Sequence, residues 1–436
     1  MVIKLSKNQL FDGYGVKLAF IILGILYWVY GFTPYIDVVL SALVWLALLP
    51  TVITLFKTNI RDYHFYITIA TLFLGLGTVI VTPNKRSTIT MLVYALIKMV
   101  VLCNNSSKKS QAKIFKEFKN TANTISIIGT IIIVISLVTY FLNISIPYVY
   151  SASENATTLY VGINPGRGSL CGVFANENML SNLCVITLGC SLIMLENTSK
   201  KALYVLSVFI ITFTQVLTAS RGGFLGLLII LGFYFWYKFK GITKNNAQNN
   251  RLRYASIAIL FIVFFVFCII DGDFNLFGLL NRTQDNFNKN TEIRLYLWDA
   301  AIRALIYSPQ NFIFGIGHNI SDIMEKFCQV SFASRLYTNV HNAYIQKALE
   351  FGVLSSLLMI VFFLKTILPG LLSLRRHGVS NMSLHLLEAI VIVLLLTNLV
   401  ETDMLGRGFE GTVVWIFAGY YYSLSKSIIL NKIDNL

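Results

Sequence analysis

Arg221 stands in Ser220-Arg221-Gly222, at the seam between two long apolar runs. If the second run starts as a helix there, its N-terminal N–H groups face an anion, and a guanidinium adds a forked donor for phosphate oxygens. An arginine that snorkels to lipid headgroups fits the position equally well. Arg167 lies in Gly166-Arg167-Gly168, ahead of Gly172, Asn176 and Asn178. Glycines permit close backbone approach and asparagine amides bond sugar hydroxyls, although an ordinary glycine-rich turn is the simpler account. Arg294 opens an amphipathic stretch and, taken alone, is a solvated face residue. His341-Asn342 falls where a long polar loop re-enters an apolar run, and imidazole is the side chain that exchanges protons near neutral pH. An interfacial capping histidine is the plainer reading. His318-Asn319, after Gly315 and Gly317, is a second such pair further from any apolar run. Lys347 and Glu350 lie one helical turn apart and are expected to pair with each other. Glu401 and Asp403 form an acidic pair at the end of a run, as a base, a metal pair or a solvated helix end.

The elements that position these groups follow from composition. The chain has 436 residues, of which 56% are hydrophobic and 13% charged. Soluble domains carry about a quarter charged residues. Ile125–Leu142 and Tyr204–Ser220 contain no charge, and uncharged apolar stretches of about 18 residues are membrane-span signals. The predicted fold class is therefore all-α, a polytopic membrane protein without strands. Its expected spans are 15–32, 35–56, 64–82, 88–103, 123–143, 177–195, 202–219, 222–237, 254–271, 342–366, 383–400 and 411–425. The formal charge of +15 is explained by basic loops that set topology, not by nucleic acid. With both termini inside, about 22 basic residues fall on the inner side and about 11 outside, as the positive-inside rule prefers. Lys85 and Arg86, in a short outer loop, are the clear exception. The six cysteines show no paired metal spacing, and no cleavable signal peptide is visible.

This topology puts three polar segments outside: 143–176, the Ser220–Gly222 junction, and a loop of roughly 70 residues between the ninth and tenth spans, long enough to need structure of its own. The organisation expected is spans one to nine over 1–271, the outer loop over 272–340, and three further spans with a cytoplasmic tail over 341–436. Within the loop, Thr291 is a helix cap candidate. Ile293, Leu297, Trp298, Ala301 and Leu305 recur at helical spacing before Pro309. A second short helix is expected near Ser321. There is no internal repeat and no expectation of an interrupted helix.

Taken in order, Arg167…Gly172…Asn176-x-Asn178, Ser220-Arg221-Gly222, Arg294-x-x-x-Trp298, Gly315-x-Gly317 and His341-Asn342-x-Tyr344 before Gly352 resemble the O-antigen ligase and Wzy-type polymerase superfamily over residues 160–410. The resemblance implies a membrane glycosyltransferase of the GT-C type in the inner membrane. Such an enzyme moves a glycan from undecaprenyl pyrophosphate to an acceptor sugar, with no cofactor and no metal. It implies His341, Arg221 and Arg294 as catalytic matches, Arg167 as a weaker one, and Asn176, Asn178, Ser220, Asn342, His318 and Glu401 as substrate-side candidates. The partners it implies are the lipid-linked oligosaccharide and the bilayer, with a flippase and a chain-length regulator as candidate proteins. The physics agrees, because a pyrophosphate leaving group needs cations more than an acid. A carboxylate pair of the glycosidase kind is not required. Transfer to lipid A core or protein is the rival within the family, and a twelve-span transporter the rival outside it. The Lys, Asn and Ile richness leans toward polymerase.

Overall fold

The computed structural model describes residues 14–29, 35–36, 38–43, 45–46, 63–102, 110–150, 157–165, 168–174, 176–242, 284–317, 326–327, 340–376, 381–399 and 408–433. They form two compact units, one from residues 1–115, 287–374 and 398–436, the other from 116–286 and 375–397. The ninth expected span, the helix expected near Ser321, and Arg167, His318 and Glu401 fall outside the described residues.

The first unit contains α1 (Tyr14–Trp28), α2 (Tyr63–Val81) and α3 (Lys85–Ile97), which continues as a π-helical turn, Lys98–Leu102. Gly24 of α1 lies so close to the start of a later helix that an added Cβ would sit 3.1 Å from the Phe409 Cα. That late helix is α13 (Phe409–Ile433). The loop helix is present as α8 (Gln284–Ile306) and is followed by a short α9 (Pro309–Phe314) capped by Ser308, whose hydroxyl accepts from Asn311 N. Thr291 lies inside α8, so it is not the cap: the polar turns before it also hold helical backbone. The expected stripe does its work, because Leu297, Ala301 and Leu305 are buried with Ile316, Val340 and Leu349 in one cluster, and Trp298 packs against it.

The tenth expected span, 342–366, is two helices, not one. α10 (Ala343–Phe351) ends at Gly352, and α11 (Val353–Arg376) begins directly after it. Gly352 has φ 85° and a Cβ there would overlap the Ile313 carbonyl oxygen. Hydropathy runs through this break without a sign of it, because the interruption is made by another chain segment pressing on the backbone. That segment carries Gly315 (φ 73°) and Gly317 (φ 87°). Ile316 N donates to Leu349 O at 2.8 Å and Gly317 N to Glu350 O at 3.0 Å, so the last carbonyls of α10 are satisfied. Thr82 Oγ1 donates to Ile316 O from the end of α2. Left-handed backbone and lack of space together require glycine at all three positions.

The second unit is built on α4 (Gln111–Phe141), α5 (Glu177–Asn197), α6 (Lys201–Leu217), α7 (Arg221–Ile242) and α12 (Met382–Thr397). α5 is buried along nearly its whole length and packs against α6, α7 and α12. The described residues are mostly helical, as the all-α expectation has it, with one small sheet that it did not include between α4 and α5. There β1 (Ser145–Tyr150), β2 (Thr157–Asn164) and β3 (Ser169–Gly172) form an antiparallel sheet in the order 1-2-3. Ser145 pairs with Gly162 and Tyr150 with Thr157. The strands are short, and β3 is buried throughout, so no two-residue polar alternation advertises it. Gln111–Phe141, Glu177–Asn197 and Val353–Gly370 are long and apolar enough to cross a membrane. Tyr14–Trp28, Phe65–Val81, Lys201–Leu217 and Met382–Thr397 are shorter apolar helices.

Candidate functional site

The residues singled out by type and spacing collect at two helix starts, one in each unit. In the second unit, α6 ends at Leu217 with Thr218 as its C-cap, and α7 begins at Arg221. Ala219, between them, has φ 52°. A left-handed alanine is sterically unfavourable and persists only where its surroundings over-determine it. The following residue supplies part of that grip, because Ser220 Oγ donates to Asn178 Oδ1 at 3.0 Å. Asn178 sits in the first turn of α5, and its N–H donates to the Asn176 side chain at 2.8 Å, making Asn176 the N-cap of that helix. Asn176, Asn178 and Ser220 therefore form one relay that ties the start of α5 to the start of α7. Arg221 stands half-buried at the end of it. Gln215 joins from below: its amide bonds Ser181 Oγ at 2.8 Å. A Cβ at Gly223 would overlap that same hydroxyl, so α7 touches α5 backbone to side chain one residue beyond Gly222. At Gly222 an added Cβ would meet nothing within 4 Å among the described residues.

In the first unit, His341 precedes α10 and has φ 52°. Asn342 is the N-cap, with its Oδ1 accepting from Tyr344 N at 3.0 Å and Ile345 N at 3.1 Å. The plainer reading of His341-Asn342 as a cap holds for the asparagine; the cap leaves the histidine as the half-exposed residue at the turn. The turn is anchored on both sides. Trp298 Nε1 of α8 donates to Val340 O at 2.9 Å, and Val340 N donates to Gln346 Oε1 at 3.1 Å. Ala343 N donates to Asn398 O at 2.9 Å, and the Asn398 amide reaches buried Glu410. Gln346 Nε2 in turn donates to Glu350 Oε1, whose other oxygen pairs with Lys347 at 2.5 Å. Lys347 and Glu350 are thus partners within α10, as expected from their spacing. Arg294 lies one turn before Trp298 on α8 and is half-buried. The structure therefore places Trp298, His341 and Asn342 around the start of α10, with Arg294 one turn away on α8 in the same unit, and Arg221, Ser220, Asn178 and Asn176 in the other unit.

Gln215, Gln346, Asn398 and Glu410 carry much of this scaffolding and were not singled out from the sequence. The available signal was their position: each is a buried amide or acid beside or within an apolar helix, where polar groups are costly and need partners. Among the described residues no three His, Cys, Asp or Glu side chains gather as a metal site would need.

The described residues are mostly helical, and three of the helices are long and apolar enough to cross a membrane, as a multi-pass membrane protein needs. Residues 206–360 match the sequence model of the family described as O-Antigen ligase. Over that stretch the chain is similar to the O-antigen ligase family, which supports the resemblance drawn from the ordered motifs. The matched span includes Arg221, Arg294, His318 and His341. No curated protein matches the chain.

Proposed function

We propose that this protein is a polysaccharide polymerase. In this reading it transfers an undecaprenyl-pyrophosphate-linked glycan to a sugar hydroxyl of another lipid-linked repeat, at the outer face of the cytoplasmic membrane. The observation that carries the reading is that Arg221 and His341, both inside the family match, each occupy the start of a helix fixed by its own polar relay. Arg221 receives the donor pyrophosphate with the N-terminal end of α7 behind it. Arg294 adds a second cation. His341 accepts the proton of the attacking hydroxyl. The new bond forms between that oxygen and the anomeric carbon, the bond from the anomeric carbon to the phosphate oxygen breaks, and its electron pair leaves on the lipid pyrophosphate. Cations offset the charge that develops there, and the base contributes about 10²–10⁴-fold. Arg167, Asn176, Asn178, Ser220, Asn342, His318 and Glu401 remain substrate-side residues of the proposal. For Asn176 and Asn342 the contribution is positioning, through the caps they form, and for Asn178 through its bond with Ser220.

The family's description as O-Antigen ligase favours a second reading, transfer of a finished chain to a different acceptor. The surface polysaccharide of a deletion strain separates the two. Single repeats without long chains are expected. Long chains stranded on the carrier lipid would establish the ligase instead.

A further inference from the structure

We propose that an open recess around Lys85 and Arg86 is a second anion site, which holds the phosphates of the acceptor's carrier lipid; this rests on the polymerase reading above. The recess lies wholly in the first unit, is open to solvent, and is lined by Ser41, Trp45, Asn84, Lys85, Arg86 and Thr90 among others. Three observations point to an anion. First, both cations are exposed and stand in the opening turn of α3, which contains no acidic residue and has no side-chain cap. Cations at a helix N-terminus oppose the dipole at about 0.3–1 kcal/mol each, whereas an anion there is favoured. Second, the same pair is the clear exception to the charge bias that sets the topology, and it falls on the side assigned to the outside. Both observations fall at one place: a bound phosphate offsets the cations at the helix start, and it lies on the side assigned to the outside.

Third, the recess adjoins the glycine motif. Thr82, one residue before Pro83 of the recess wall, donates to Ile316 O between Gly315 and Gly317. A Cβ on Gly317 would overlap the Thr82 hydroxyl. Gly317 N in turn bonds the C-terminal turn of α10. His341 stands at the other end of α10, whose nine residues span about 14 Å at 1.5 Å each. An acceptor held by its phosphates at one end of α10 and reacting through a hydroxyl at the other needs sugars between the two. A lipid-linked oligosaccharide has that form; a free phosphate or a phospholipid headgroup does not.

The test is a titration of the purified protein, in phosphatidylcholine nanodiscs, with geranylgeranyl pyrophosphate. The wild type is expected to bind two equivalents, Lys85→Gln/Arg86→Gln one, Arg221→Ala one, and the triple variant none. In chain-elongation assays the Lys85→Gln/Arg86→Gln protein is expected to raise the KM for a lipid-linked acceptor about tenfold, with kcat within about twofold, the pattern of lost ground-state binding. One equivalent on the wild type, or an unchanged stoichiometry in the double variant, overturns the proposal. So does loss of the second equivalent when phosphatidylglycerol is included, which would make the recess a seat for bilayer phosphates. If Arg221→Ala keeps both equivalents while the double variant loses one, the recess stands and the donor site assigned to Arg221 falls.

Discussion

Gly222 and Gly223 are neighbours in α7, yet they should respond oppositely to alanine. At Gly223 the new methyl overlaps Ser181 Oγ and lies 2.8 Å from Gln215 Nε2, so α7 must move away from α5 or the Gln215–Ser181 bond must break. Overpacking of this kind costs about 1–3 kcal/mol. At Gly222 the methyl meets no atom within 4 Å among the described residues, and replacing a helical glycine by alanine stabilises by up to about 1 kcal/mol. Packing therefore gives no reason for glycine at 222. If the donor pyrophosphate lies against this helix start, the methyl occupies its place, and a shift of about 1 Å in a reacting group is enough to cost 10²-fold. Each variant is to be purified in detergent, its thermal midpoint measured, and polymer length scored in cells at equal expression. Gly222→Ala should melt at or above the wild-type temperature and make little long-chain product. Gly223→Ala should melt lower. A Gly222→Ala protein with normal chain lengths would refute the close approach of substrate to α7. One that melts well below wild type would refute the open space.

Arg221→Lys keeps the charge but loses the bidentate fork, and is expected to make no long polymer while protein levels stay normal; normal chains in Arg221→Ala would remove the phosphate assignment. His341→Ala should abolish most long-chain product without loss of folded protein, whereas His318→Ala should shorten it at most, and the reverse ranking in matched chain-length gels would move the acceptor site into the loop. Elongation of lipid-linked repeats by the purified enzyme should persist in excess EDTA; loss restored by Mg²⁺ or Mn²⁺ would promote an acidic pair such as Glu401 and Asp403 to metal ligands. A cysteine placed at Asn286 should react with an impermeant reagent in intact cells, and labelling only after the membrane is breached would reverse the topology.

Helix identity was legible because it rests on composition over long windows. The uncharged run within α4, the stripe Leu297, Ala301 and Leu305 on α8, and the Lys347–Glu350 pair on α10 are all consequences of helical spacing, and each is found where that spacing puts it. The resemblance was legible for a related reason: Arg221, Arg294, Trp298 and His341 are ordered along the chain, and all four fall within the matched residues 206–360. The sequence alone also marked Gly315, Gly317 and Gly352 as a set, without saying what they do. Only the tertiary structure shows that they interlock, so that a continuous apolar run becomes two helices, α10 and α11. It alone decides the sheet between α4 and α5, whose four-residue strand β3 is buried throughout and shows no alternation. It also makes Asn176 and Asn342 caps, ties Asn178 to Ser220, and holds His341 in a left-handed turn between Trp298 and Gln346. The physical reason is common to these cases. Hydropathy and periodicity report what each residue contributes to its own element, whereas breaks, caps and clamped turns depend on which backbone groups arrive from elsewhere, and no local pattern records the arrival.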